Sequence, residues 1–252
     1  MNSSYSKAYK LLGRSGKEAA WFIAAGLVSS GLYVLVCGLI GLEGAYAGYA
    51  SFKDSPPLKG LIAGLPGDIF TAWFAAGLAG RFTMDALSGA PEGMLHYAKG
   101  WFLRKVIADT VVMGLIWGPV MFLIKTPSHS TLLTLCWILG AGWLSLRLPL
   151  WLNASVAENL GLFEAMKRSY TITSAQVLRI IILAGAPLIL AGILSKLLSK
   201  ILPGQTVPLY YFKSLLDSAA AAFTMGIFAV LYLELRSGTT ATEPKAAEET
   251  PA

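Results

Sequence analysis

Residues 19–42 read AAWFIAAGLVSSGLYVLVCGLIGL, 24 consecutive residues without a charge. A helix rises about 1.5 Å per residue, so about 20 residues cross a hydrocarbon core of about 30 Å. The run is also too long for the apolar region of a signal peptide, which is about 7–15 residues. It therefore reads as a true membrane span. A second stretch, 126–146, adds 21 uncharged residues. Working outward from these two, the sequence predicts an all-α integral membrane protein with six transmembrane helices, at about 19–42, 66–86, 103–124, 129–150, 176–198 and 211–235.

Composition agrees. Hydrophobic residues make up 55% and charged residues 13%, with a mean hydropathy of +0.61. A soluble domain carries about 25% charged residues. The net charge of +6 does not point to nucleic acid, because its distribution follows the spans. Of 20 Lys and Arg, 14 lie in the N-terminal arm, in 81–105, in 147–179 and after 235; six, Lys53, Lys59, Lys125, Lys196, Lys200 and Lys213, lie in the alternate loops. Lys and Arg accumulate on the cytoplasmic side of membrane proteins. The alternation predicts a multi-pass protein of the inner (cell) membrane with both termini cytoplasmic. Anionic lipid headgroups are the expected partners of this charge. Residues 1–236 form the membrane domain, and the polar stretch 237–252 reads as a disordered cytoplasmic tail.

The basic segments have helical spacing. Lys7, Lys10, Arg14 and Lys17 line one face of a helix, leaving Tyr5, Ala8 and Leu12 elsewhere. Around 92–102, Met94, Ala98 and Trp101 oppose Glu92, His96 and Lys99. Around 160–172, Phe163, Met166 and Tyr170 oppose Glu164, Lys167 and Arg168. Each reads as an amphipathic helix at headgroup level. Lys7, Lys10, Arg14, Lys17, Lys167 and Arg168 are the candidate headgroup contacts. Interfacial helix, span, outer loop and span, three times over, make a three-fold helical-hairpin repeat. Its best alignment sets Asp68-x3-Ala72-x-Phe74-x2-Gly77-x7-Asp85 on Asp217-x3-Ala221-x-Phe223-x2-Gly226-x7-Glu234 without a gap. The second helix of the middle unit keeps only Trp137 and Gly140 at that spacing.

Four residues form a candidate intramembrane polar site: Asp68, Asp109, Arg147 and Asp217. A carboxylate within a span is costly and by default marks function. Structural roles compete. Asp68 follows Pro66-Gly67, a plausible helix start, with 58–65 before it as a short interfacial or re-entrant piece. Asp217 has Lys213 one turn earlier. Asp109 can pair with Arg104, Lys105 or a neighbouring helix. Arg147 can snorkel to the headgroups or pair with Glu158 or Asp109. His96 and His129 fall on opposite sides of the membrane, so no metal site or cofactor is expected. Cys37 and Cys136 lie inside spans as small apolar residues. No catalytic group stands out, and glycine and alanine runs are expected to let helices approach closely.

The segment VAENLGLFEAMKRSYTIT, residues 156–173, with Arg179 beyond it, resembles a pattern E-x-x-G-x-x-x-A-x-x-x-S followed later by G-x-x-x-R. That pattern occurs in six-span proteins similar to the membrane domain fused to some glycerophosphodiester phosphodiesterases. Glu158, Gly161, Ala165, Ser169 and Arg179 are the matching positions, and Thr173-Ser174-Ala175 stands where the later glycine would be. The resemblance implies the six-span fold. The phosphodiesterase chemistry of that group belongs to a separate soluble domain, so no hydrolase activity is implied. The same segment loosely resembles the coupling loop of binding-protein-dependent import permeases, through Glu164-Ala165 and a following basic residue. The expected function is a non-enzymatic membrane protein that organises or anchors an envelope or lipid-handling assembly, with membrane-complex subunits as partners. The alternative is a transporter or permease subunit working with a separate energising partner.

Overall fold

The structure, a computed structural model, describes residues 2–41, 57–112, 131–174, 176–201 and 206–240. These residues are helical or in short turns, with no strand among them. In chain order the helices are α1 (Asn2–Arg14), α2 (Gly16–Leu39), α3 (Pro57–Ser88), α4 (Met94–Val112), α5 (Thr131–Arg147), α6 (Trp151–Glu158), α7 (Leu162–Thr173), α8 (Val177–Ile201) and α9 (Thr206–Thr240). Four stretches are long and apolar enough to cross a membrane: Gly16–Leu39, Leu135–Glu158, Val177–Ile201 and Val207–Ser237. The chain is thus an all-helical protein with the helices of a multi-pass membrane protein.

These four correspond to the first, fourth, fifth and sixth expected spans. The second, 66–86, falls inside α3. That helix has 32 residues, about 48 Å at the helical rise, but it carries Asp68, Arg81 and Asp85. It is also the helix most enclosed by others, with Ala75 to Gly80 all buried. An interior helix takes its stability from neighbours rather than from lipid, so its surface is less apolar. The third expected span begins in α4, and its part from 113 to 124 lies outside the described residues, as do 42–56, 125–130 and with them His129.

Two boundaries differ from expectation. Pro66 does not open a helix; α3 starts at Pro57 and runs through it, so 58–65 is the beginning of the same helix. Proline removes one backbone donor, and packed helices tolerate that in membranes. At the other end, 237–240, assigned to the tail, continue α9, while 241–252 lie outside the described residues.

α3 and α9 form the centre. α1, α2 and α8 pack on one flank of this pair and α4, α6 and α7 on the other. α1 buries Ser4, Ala8 and Leu11 on one helical face, and Ser15, just past its end, is buried too. Its lysines face outward, as their spacing predicted. Tyr5 stacks on Phe223 of α9 with ring centroids 6.2 Å apart, and its hydroxyl donates to the Leu183 carbonyl at 3.1 Å. Small residues set the helix spacing. A Cβ on Gly77 would stand 2.6 Å from Met94 Cγ and 2.7 Å from the Met94 carbonyl oxygen. α4 therefore lies directly on the backbone of α3. Gly226, set opposite Gly77 in the sequence alignment above, faces α1, where a Cβ on it would meet Ala8 at 3.6–3.9 Å.

Candidate functional site

Three acidic side chains near the ends of α3, α6 and α9 organise the basic face. Glu234 of α9 accepts hydrogen bonds from Ser4 Oγ at 3.1 Å and Lys7 Nζ at 2.9 Å, both on α1, and from Arg179 of α8. Asp85 of α3 pairs with Arg14 of α1 at 3.6 Å. Glu158, the last residue of α6, pairs with Arg168 of α7 and Arg236 of α9, each at 3.4 Å, and accepts the Tyr232 hydroxyl. Arg81 of α3 adds a further tie: its Nε lies 3.3 Å from Glu18 and donates to Ser15 Oγ at 3.0 Å, and its Nη1 donates to the Glu92 carbonyl at 2.9 Å. Each acid joins helices distant in sequence, so the pairs act as clasps around the basic end of the bundle.

The five positions of the 158–179 pattern all take structural roles here. Glu158 is a clasp. Asn159 adopts a left-handed conformation with φ of 51°, which ends α6 as C-terminal residues of helices often do. Gly161 starts α7, and its N–H donates to the Glu164 carboxylate at 3.2 Å. Ala165 is fully buried against a cluster that includes Leu150, Trp151 and Tyr232. Ser169 accepts from the Leu150 N–H at 3.2 Å and donates to the Arg147 carbonyl at 2.9 Å. Arg179 reaches Glu234. The pattern therefore fastens α7 to the bundle and ties α8 to α9. On α7 the side facing the protein carries Ala165, Ser169, Ile172 and Thr173. Phe163, 80% exposed, points away from it.

The six candidate headgroup cations divide into two sets. Lys7, Arg14 and Arg168 reach acids of the protein. Among the described residues Lys10, Lys17 and Lys167, together with Lys99, are exposed and make no ion pair.

The four intramembrane candidates do not converge on one site. Asp109 pairs with Lys105 at 2.7 Å and Asp217 with Lys213 at 2.6 Å, each one turn apart on its own helix. Asp68 on α3 and Asp109 on α4 are close enough for their charges to interact. Asp217 and Lys213 border a cleft of about 320 Å³ between α2, α3 and α9, with Ser30, Thr71, Tyr210 and Ser214 also in its wall. The hydroxyls of Ser30 and Ser214 are 2.6 Å apart. Arg147 pairs with neither Glu158 nor Asp109. Its guanidinium lies over the rings of Trp143 and Tyr170 instead, 5.2 and 4.3 Å from their centroids.

Among the described residues no three His, Cys, Asp or Glu side chains gather as metal ligands. His96 pairs with Glu92 at 2.7 Å. Sequence reasoning did not assign a role to Asp85 and Glu234, although the repeat alignment had already placed them at equivalent positions. No protein-family model matches the chain, and neither a curated protein nor a solved structure matches it.

Proposed function

We propose that this chain is a non-enzymatic inner-membrane protein that gathers anionic lipid around a basic collar and anchors an envelope or lipid-handling assembly there. The observation that carries this reading is the set of exposed, unpaired cations Lys10, Lys17, Lys99 and Lys167. Glu18, Asp85, Glu158 and Glu234 are occupied by other cations, so the positive charge of these exposed lysines is directed outward. Each Lys near an anionic leaflet contributes about 1 kcal/mol.

In this reading both termini are cytoplasmic, and six spans form three hairpins, each introduced by an interfacial helix. Support for the repeat comes from Gly77 and Gly226, aligned in sequence, each of which seats an interfacial helix. The test is co-purification in gentle detergent. The wild-type chain is expected to retain anionic phospholipid or a protein partner, and replacement of the four lysines by Gln to reduce retention at least tenfold. A bare monomer in both cases would count decisively against the proposal.

A second reading, a transporter or permease subunit, draws on the polar cleft beside Asp217. It requires that the Asn variants of Asp68, Asp109 and Asp217 abolish flux of a solute in proteoliposomes supplied with the energising partner. Unchanged flux in the triple variant would exclude these carboxylates from any transport step.

A further inference from the structure

Among the described residues Arg147 is the one arginine whose guanidinium meets neither a carboxylate nor a carbonyl. Arg14, Arg81, Arg168, Arg179 and Arg236 pair with acids, and Arg104 donates to the Leu160 carbonyl at 3.0 Å. Arg147 is nevertheless buried, at 7% exposure, and its Nε and Nη1 have no hydrogen-bond partner. A buried charge without a counter-charge is costly, and stacking on two rings offsets only part of that cost.

Arg147 is also held in place. Ser169 and Thr173 of α7 both donate to its backbone carbonyl, at 2.9 and 3.1 Å. The two rings that cover it are themselves half-exposed, Trp143 at 51% and Tyr170 at 43%. The guanidinium therefore lies one side chain beneath the lipid-facing surface.

The surface of α5 leading away from it is apolar and uncovered. Cys136, Gly140 and Trp143 lie 11, 7 and 4 residues before Arg147, which places them along one helical face. All three are exposed. Gly140 has no neighbouring atom within 4 Å of where a Cβ would stand, so the face is indented there. From Cys136 to Arg147 the helix rises about 16 Å, close to one leaflet of a hydrocarbon core of about 30 Å.

We infer that Arg147 binds the phosphate of an inner-leaflet anionic phospholipid, whose acyl chain lies over Gly140 towards Cys136. The unpaired guanidinium supplies the charge-assisted donors that phosphate oxygens accept. The exposed apolar face of leaflet length favours a lipid over a free phosphate. The inference rests on the membrane reading above but not on the collar lysines. A buried site is also screened less by salt than an exposed one.

The test uses the full chain in mild detergent, with binding of brominated-chain phosphatidylglycerol followed by tryptophan quenching in 0.5 M salt (~3–5 Å Debye length), and with phosphatidylcholine and inorganic phosphate as the comparison probes. The expected result is one saturable phosphatidylglycerol site, weakened about tenfold by Arg147→Gln, with inorganic phosphate a poor competitor. Because Arg147→Gln can disturb folding, Gly140→Leu is the second variant. It fills the open space over Gly140 and is expected to weaken lipid binding without lowering the melting temperature. Binding within twofold of wild type in both variants would overturn the site. Full displacement by inorganic phosphate would overturn the lipid assignment. Loss of binding in a Lys10, Lys17 and Lys99 to Gln variant, but not in Arg147→Gln, would remove this site and leave the collar standing. The converse would support the site.

Discussion

Lys7 Nζ lies 2.9 Å from the Glu234 carboxylate, joining the first helix to the last across 227 positions of sequence. Ser4 and Arg179 meet the same carboxylate, so α1, α8 and α9 share one anchor. Without it, an N-terminal helix with an outward row of lysines would be free to lie on the membrane alone.

Glu234→Ala is expected to release α1. Charge-assisted hydrogen bonds contribute about 1.5–3 kcal/mol each where they are buried. Here Lys7 is exposed and screening reduces its share, so a loss of about 2 kcal/mol overall is expected. Trypsin would then cut at Lys7 and Lys10 faster than in wild type. An unchanged cleavage rate would show that α1 is held by its apolar face alone.

Gly77 and Gly140 make a matched pair. Gly77→Ala drives a methyl into the Met94 backbone and is expected to cost about 1–3 kcal/mol. Gly140→Ala meets nothing within 4 Å and removes a flexible residue from a helix, a gain of up to about 1 kcal/mol. Thermal unfolding in detergent reads both, and equal shifts would contradict the packing.

Ser169→Ala leaves the buried Leu150 N–H without its partner, at a cost of about 1–3 kcal/mol. Thr171→Ala, on the exposed side of the same helix, is expected to stay within about 0.5 kcal/mol of wild type. If the two variants melt together, the serine does not fasten α7.

Topology is testable by cysteine labelling in a background with Cys37 and Cys136 replaced by Ala. Six spans with cytoplasmic termini require Gly44→Cys, Ser128→Cys and Gln205→Cys to react with an impermeant maleimide added outside. Pro91→Cys and Ser174→Cys should react only after permeabilisation. Outside labelling of Pro91→Cys would refute the expected first hairpin.

The apolar runs that form α2, α8 and α9 were legible because bilayer crossing imposes a length and a composition that any reader can count. The charged face of α1 was legible in part, since Lys7, Lys10 and Arg14 at 3-4 spacing share one helical face, whereas Lys17, expected on the same helix, falls on α2. α3 was harder. Pro66 carries the local signal of a helix start, yet the helix runs through it, because neighbouring helices hold the chain where the local signal would end it. Two of the polar candidates were legible. The Lys213–Asp217 and Lys105–Asp109 pairs follow from one-turn spacing, which lies within the sequence's reach.

What the sequence determined by itself is the class of molecule, an all-helical chain with membrane-length apolar helices and a basic face, since hydropathy and charge are sums over neighbouring residues. Tertiary structure decided which charges are occupied. Glu234 finds Lys7 and Arg179, Glu158 finds Arg168 and Arg236, and Arg147 finds only two aromatic rings. Those outcomes depend on helices that meet far apart in the chain, and electrostatic pairing acts over a few ångströms of space, whatever the separation in sequence.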